Sequence, residues 1–266
     1  MSHSLSADYL SRFSGLARLY GNDALPLLAR AHFAVVGLGG VGTWAAEALA
    51  RSGIGELTLV ELDDVCVTNT NRQLHTTTHT VGQSKNQVMS ERLRAINPEL
   101  KVHTVHDFLT RHNLAEYLTS QQVVVDAIDS ASVKAALAAF CSGHKRRLVM
   151  AGSSGGKLDP TRIQVADLGQ TVSDPLLAKV RNLLYRHHNF ARSANRRFRI
   201  DAVFSPEQMR YPQPDGSVCG SKSGVQEGVK LDCSGGFGSS VMVTGSFGFT
   251  AAARAIDRYL QDCRKG

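Results

Sequence analysis

Apolar and polar positions fall into two regimes along the chain. Residues 5–30 carry short helical runs punctuated by Gly21 and Pro26. From residue 33 onward, short apolar runs alternate with amphipathic stretches. This spacing predicts strands over 33–36, 56–60, 101–105, 123–127 and 147–150, and helices over 43–51, 83–96, after Thr110, and over 131–142. Strands alternating with helices imply βαβ units, and therefore an α/β, Rossmann-like, doubly wound and mostly parallel sheet with helices on both faces. Past Gly152 the periodicity weakens, leaving one expected strand over 162–165 and a poorly patterned stretch to about residue 232.

The chain has 266 residues, 42% of them hydrophobic, which is enough for one substantial core but short for two full domains. A single domain over 1–266 is expected, with a core over 32–150 and an elaborated basic extension over 151–266. Residues 233–253 carry no charge and approach the length of a membrane span, yet 11 of these 21 residues are Gly, Ser or Thr. A buried glycine-rich loop entering a core helix accounts for that composition, so membrane association is not expected. The first residues lack the basic segment, apolar run and small-residue cleavage site of a secretory signal, so export is not expected either. The five cysteines form no CxxC pair, which argues against a thiolate zinc clamp and a disulfide framework and favours a reducing, cytoplasmic setting.

Charge changes the picture further. The formal net charge is +7, and residues 144–230 hold 15 Lys or Arg against 7 Asp or Glu, while the rest of the chain holds 15 against 16. The excess is densest over 175–200, where Lys179, Arg181, Arg186, Arg192, Arg196, Arg197 and Arg199 occur without one acidic residue. A single-sign run concentrates positive potential and attracts phosphate backbones, although a solvated helix face or a basic loop would read the same way.

The chemistry-bearing residues cluster where the alternation is clearest. Gly37, Gly39, Gly40 and Gly42 form a GxGxxG turn between a strand and a helix, where backbone amides can approach a phosphate. Glu61 ends the next strand, where a carboxylate can accept from a ribose hydroxyl. These features alone fit NAD enzymes, flavoproteins, ATP users, or a tight turn without a nucleotide. The following segment, with Asp63, Asn69 and Arg72, then Lys85, is more specific, because a hydride-transfer enzyme has no need of it. Arg72 and Lys85 can clamp phosphate oxygens, Asn69 can orient them, and Asp129, at a strand's carboxyl end, can hold Mg²⁺. The competing assignments are a surface ion pair for Arg72, a solvated helix residue for Lys85 and a helix cap for Asp129. His75 and His79 have metal-ligand spacing, but no HExxH glutamate accompanies them.

The glycine turn, the segment from Glu61 through Asn69 to Arg72-Gln73, Val81-Gly-Gln-Ser-Lys85 and Asp126-Ala-Ile-Asp129-Ser together resemble the adenylating domain of ubiquitin-activating enzymes and their bacterial ThiF/MoeB-type relatives. Within that superfamily, Arg12–Gly21, Asp63–Gln73, Asp174-Pro175, Tyr211-Pro-Gln and Leu231–Gly238 resemble the branch that dehydrates threonylcarbamoyladenosine in tRNA. The resemblance covers nearly the whole chain. It implies that ATP and Mg²⁺ adenylate the carboxylate of the threonylcarbamoyl group on adenosine 37, after which a nitrogen or oxygen of the same group closes a ring and releases AMP.

By matching position, the resemblance makes the four glycines a phosphate cradle and Glu61 the ribose ligand. Asn69, Arg72, Gln73 and Lys85 line the triphosphate, Asp129 serves the metal, and Asp63 lies in the crevice. Arg72, Lys85, Asp129 and Asp63 are the expected catalytic residues. No structural zinc is expected, because the relatives' paired CxxC motifs are missing. Gly15 stands where many relatives carry an arginine that reaches a partner's ATP, leaving Arg12 or Arg18 as substitutes. Cys233 is the candidate thioester nucleophile, although intramolecular ring closure needs none; the other cysteines read as structural. The tRNA is expected to meet Lys179, Arg181, Arg192, Arg196, Arg197 and Arg199. A homodimer and a sulfur-transfer protein are the other partners the resemblance implies. Three alternatives stand beside it: an adenylyltransferase acting on a ubiquitin-like or sulfur-carrier protein, a pyridine-nucleotide dehydrogenase, and a non-enzymatic tRNA-binding scaffold.

Overall fold

The computed structural model describes residues 4–192, 197–213, 215–220 and 238–265. Ser6 caps α1 (Ala7–Tyr20) by accepting from the Tyr9 N–H, and α1 buries Tyr9 and Phe13 against Leu25 of α2 (Ala24–Ala29). The alternation then follows: β1 (His32–Val36), α3 (Gly42–Arg51), β2 (Glu56–Val60), α4 (Lys85–Ile96) and β3 (Lys101–Val105). Next come α5 (Leu114–Tyr117), β4 (Val123–Asp126), α6 (Ala131–Gly143) and β5 (Arg147–Ala151). The chain continues with β6 (Gln164–Asp167), α7 (Pro175–His187), β7 (Asp201–Phe204), the small hairpin β8 (Tyr211–Pro212) and β9 (Val218–Cys219), and α8 (Val241–Cys263).

Seven strands form one sheet in the order β3-β2-β1-β4-β5-β7-β6, parallel throughout except for β6, which runs antiparallel to β7. The expected α/β doubly wound sheet is therefore present. The chain winds outward from β1 to β3, then returns to place β4 on the other side of β1. That reversal opens a crevice between the carboxyl ends of β1 and β4.

Alternate strand residues feed two cores. Phe33, Val35, Leu57, Leu59, Val123 and Val125 face α3 and α8, whereas Ala34, Val36, Val60, Val124, Leu148 and Met150 face α6 and α7. The strand expected over 162–165 begins later, because Pro160–Arg162 forms a 3-10 turn capped by Asp159. Two elements lie in the stretch that read as unpatterned. In α7 the buried Leu177, Val180 and Leu184 follow a helical spacing that the intervening basic residues obscure. In β7 all four residues are buried, so no alternation marks it.

The later part of the uncharged stretch forms a core helix, as its composition implied, while residues 233–237 of the expected buried loop lie outside the described residues and residues 238–240 are not buried. α8 lies against α3, and a Cβ on Gly248 would meet the Val41 carbonyl oxygen at 2.6 Å and the Ala45 nitrogen at 2.9 Å. Among the described residues, no helix is long and apolar enough to cross a membrane.

A candidate nucleotide site at the carboxyl edge

The glycine turn is shaped by close approach. Gly37 has φ +87° and donates its N–H to the Val60 carbonyl at 2.9 Å, tying the turn to the end of β2. A Cβ on Gly42 would lie 1.8 Å from the Gly37 carbonyl oxygen, and one on Gly40 would lie 3.2 Å from Arg72 Cγ and Thr244 Cγ2. Gly39 differs: among the described residues nothing lies within 4 Å of where its Cβ would point, so the described part of the chain leaves that side of the turn open. The turn runs directly into α3, whose first N–H groups and positive dipole end favour an anion.

Glu61 is buried, and its carboxylate accepts from three backbone groups: the Leu38 N–H at 2.8 Å, the Leu62 N–H at 2.9 Å and the Asp63 N–H at 3.0 Å. It thus anchors the glycine turn, and since two carboxylate oxygens carry about four acceptor sites, it retains capacity to accept one more donor. Lys85 opens α4 in a buried position, with its Nζ 3.0 Å from Asp63 Oδ2 and 3.9 Å from Glu61 Oε2. The two carboxylates thus fix where the buried Lys85 Nζ points.

Arg72 donates from Nη1 to the Thr68 carbonyl and the Asn71 Oδ1, both at 3.0 Å, and its own carbonyl accepts from Trp44 Nε1 at 3.1 Å. The start of α8 braces the same loop, because the Val241 N–H donates to the Asn71 carbonyl at 3.0 Å. Asn69 is buried and orders the preceding 3-10 turn by accepting from the Cys66 N–H at 3.2 Å. Gln73 is buried, and its Oε1 has no partner among the described residues. The structure therefore brings the glycine turn, Glu61, Asp63, Asn69, Arg72 and Lys85 to one edge. Asp129 reaches that edge on the loop after β4, which passes against Gly37 at Ala127. It is exposed, and Ser130 rather than Asp129 occupies the N-cap of α6, so the capping alternative does not hold. The exposed Asp129 and the half-exposed Asp63 each offer the hard oxygen donors that Mg²⁺ takes.

Several features here were not legible in the sequence. Cys66, expected to be structural, is exposed; its thiol pKa is lowered by a hydrogen bond with the Thr68 hydroxyl, and then by the nearby Lys85 and Arg72. His75 is 2% exposed with neither ring nitrogen partnered among the described residues, and burial, with Lys85 adding, brings its pKa down to about 4. Behind the crevice, Lys134 Nζ pairs with Asp126 Oδ1 at 3.0 Å and donates to the Ala151 carbonyl at 2.8 Å, with both side chains fully buried. Trp44 and Thr244 hold the Arg72 loop from α3 and α8, a contact between segments remote in the chain.

Other expected residues lie elsewhere. Arg12, bonded to Asp8 at 3.0 Å, and Arg18 sit on exposed positions of α1. That helix is held at the amino edge of the sheet, where Tyr9 donates to the Gly53 carbonyl at 2.5 Å. Neither arginine is near this chain's own crevice. Cys233 and Arg196 lie outside the described residues. Lys179 is exposed on α7, whereas Arg181 is turned inward to the Leu168 carbonyl and the Thr171 hydroxyl. Arg192 lies 5.2 Å from the Tyr185 ring centroid. Arg197 and Arg199 line a cavity of about 1100 Å³ at the amino edge together with Arg147, Arg254 and Arg258. Arg197 and Arg199 thus lie on a second surface, separated from the nucleotide crevice by the length of the strands, roughly 16 Å, whereas α7 starts at the carboxyl edge, where Asp174 accepts from the Ser153 N–H.

Known proteins resemble this chain over nearly its full length. The chain is 49% identical over 261 residues to the tRNA threonylcarbamoyladenosine dehydratase of Escherichia coli (strain K12), covering 98% of this chain and 97% of that one. It is 47% identical over 255 residues to the dehydratase of the same description from Haemophilus influenzae, covering 96% and 95%. The crystal structure of the E. coli dehydratase, TcdA, in complex with ATP superposes with a TM-score of 0.87 at 45% identity, over 99% of this chain and 100% of that chain. The AMP complex of the same protein gives 0.88 at 46% identity, over 100% of both chains. The ThiF family matches residues 12–259, and with the glycine turn, the Arg72 loop and Lys85 all gathered at the switch point, the chain belongs to the ThiF family.

Proposed function

We propose that this chain uses ATP to dehydrate threonylcarbamoyladenosine at position 37 of tRNA. The observation that carries the reading is the convergence of the glycine turn, Arg72 and Lys85 at one edge of a sheet that matches an ATP-bound dehydratase over its full length. In the first step a carboxylate oxygen of the substrate attacks the α-phosphorus and pyrophosphate leaves. In the second, a nitrogen or oxygen of the same modification attacks the acyl carbon, a proton is lost, and AMP leaves with the former carboxylate oxygen. The net change is loss of one water.

The chain's part is positioning and charge neutralisation. Backbone N–H groups around Gly39 receive phosphate oxygens, and Glu61 accepts from the ribose. Lys85 is already buried and oriented; it exchanges Asp63 for a phosphate oxygen without leaving its place. Arg72, with Asn69 and Gln73 behind it, meets the leaving pyrophosphate. Asp129, helped by Asp63, would hold Mg²⁺, which supplies further neutralisation of the triphosphate. Phosphate contacts to tRNA fall to Lys179, Arg192, Arg197 and Arg199, since Arg181 is engaged within the chain. The whole chain acts as one adenylating unit, in the cytoplasm and as a homodimer, in which Arg12 or Arg18 reaches the partner's nucleotide. A sulfur-transfer protein is a further docking partner.

Nucleoside mass spectrometry of threonylcarbamoylated tRNA, incubated with the purified chain, ATP and Mg²⁺, tests the reading. Loss of one water from the modified adenosine with stoichiometric AMP is expected, and Lys85→Ala and Asp129→Ala should each lower the rate at least about a hundredfold. An unchanged nucleoside with continued AMP formation would overturn the substrate assignment and favour activation of a carrier protein. Near-normal rates in either variant would overturn the site.

A further inference from the structure

We propose that His32, Glu56 and His103 form a binding site for a divalent transition metal of the zinc type at the amino edge of the sheet, opposite the nucleotide crevice. His32 opens β1 and pairs in register with Glu56, which opens β2. Glu56 in turn pairs with Lys101 of β3, and His103 lies two residues further along. Register neighbours and residues two apart share a sheet face, so the strand alignment itself puts all three side chains on the same side.

Their donor atoms converge. His103 Nε2 is 2.7 Å from Glu56 Oε1, His32 Nδ1 is 3.5 Å from the same oxygen, and no two of the three donor atoms are more than 4.8 Å apart. Tetrahedral zinc with bonds of 2.0–2.2 Å keeps its ligand atoms roughly 3.3–3.6 Å apart. The His32–Glu56 separation already meets that spacing, the His103–Glu56 pair must open by less than about 1 Å, and the two imidazole nitrogens, within 4.8 Å of each other, complete the set as the exposed His103 ring turns. His103 is exposed and Glu56 half-exposed, so the adjustment is inexpensive and a water can complete the coordination.

His32 is the fixed member, at 7% exposure. Its Nδ1 is 3.1 Å from Ser120 Oγ, a contact that an ion would displace, and its other nitrogen, Nε2, is 2.8 Å from Thr58 Oγ1, which also accepts from Gln121 Nε2 at 3.0 Å. Such an outer hydrogen bond sets the tautomer and aim of a ligating imidazole. Nearby cations do not occupy the cluster: Arg146 is turned to the Thr119 and Gln121 carbonyls, and Lys101 sits at the exposed start of β3. Two imidazoles and one carboxylate suit zinc rather than Mg²⁺ or Ca²⁺, which prefer oxygen sets. A bound ion would clasp three successive strands, including the edge strand β3, where neither catalysis nor the glycine turn is involved.

The test uses the full-length, tag-free chain, freed of metal by a chelator and titrated with zinc chloride, read by calorimetry and by thermal unfolding. One equivalent is expected to bind, with a rise in Tm that magnesium chloride does not produce. His103→Ala and Glu56→Gln, both at accessible side chains, should fold with an unchanged metal-free Tm, weaken zinc binding at least about tenfold and abolish the zinc-dependent rise. Absence of a stoichiometric site in the unaltered chain overturns the proposal, as does equal zinc affinity in the unaltered chain and both variants.

Discussion

His75 shows how one residue's burial sets a property of the whole chain. Burial first, and Lys85 second, lower its pKa from the ordinary value near 6.5 to about 4. The unfolded chain therefore takes up a proton between about pH 6.5 and 4 while the folded chain does not, so stability falls as the pH drops through that window. The loss amounts to about 3 kcal/mol once both states are protonated. Urea midpoints measured from pH 7 to pH 4 should fall more steeply for the unaltered chain than for His75→Gln; parallel curves would show that the buried ring is not responsible. Sequence alone gave His75 as one of a spaced histidine pair. Only the folding of the loop after Arg72 decides that it is buried without a partner among the described residues.

At the scale of elements, the contact between α3 and α8 carries the site. α8 supplies Thr244 and the Val241 N–H to the Arg72 loop, and α3 supplies Trp44. Both roles need the helices close together, and Gly248 permits it by letting the Val41 carbonyl and Ala45 nitrogen fit where a Cβ would go. Gly248→Ala gains about 1 kcal/mol of helix propensity but collides with backbone that cannot turn aside, an overpacking cost of about 1–3 kcal/mol. The net expectation is a lower Tm, by several degrees, with ATP turnover reduced as the Arg72 loop shifts. A Tm equal to or above that of the unaltered chain would show that α8 yields at this point. The uncharged, glycine-rich composition was legible as a core helix; which helix it would face was not, because that depends on a contact across some 200 positions of chain.

For the whole molecule, charge divides into two surfaces. The crevice at the carboxyl edge holds Arg72 and Lys85, already engaged with carbonyls and carboxylates, while Arg197 and Arg199 lie at the amino edge among Arg147, Arg254 and Arg258. Arg254 and Arg258 are bound to Asp201, so the exposed Arg197 and Arg199 are the better phosphate contacts. If both meet tRNA, Arg197→Ala and Arg199→Ala should each lower the slope of log affinity against log salt by about 0.7–0.9, leaving AMP formation at saturating tRNA unchanged. Slopes identical to the unaltered chain, measured by filter binding across salt, would place the tRNA elsewhere.

The sequence by itself determined the alternation of strands and helices through β5, the strand-turn-helix position of the glycine motif, and the residues gathered after it. Those signals are local: apolar periodicity, and glycine where a side chain cannot fit. Tertiary structure alone decided the rest. β7 and α7 were masked by a run of charge and by burial without alternation, and Cys66 became an exposed thiol because of where its loop lies. Glu61 became an anchor for the glycine turn, and His32, Glu56 and His103 met because three strands 24 and 47 positions apart align in register. Strand pairing brings distant residues onto one face of a sheet, and no local pattern in the chain records that meeting.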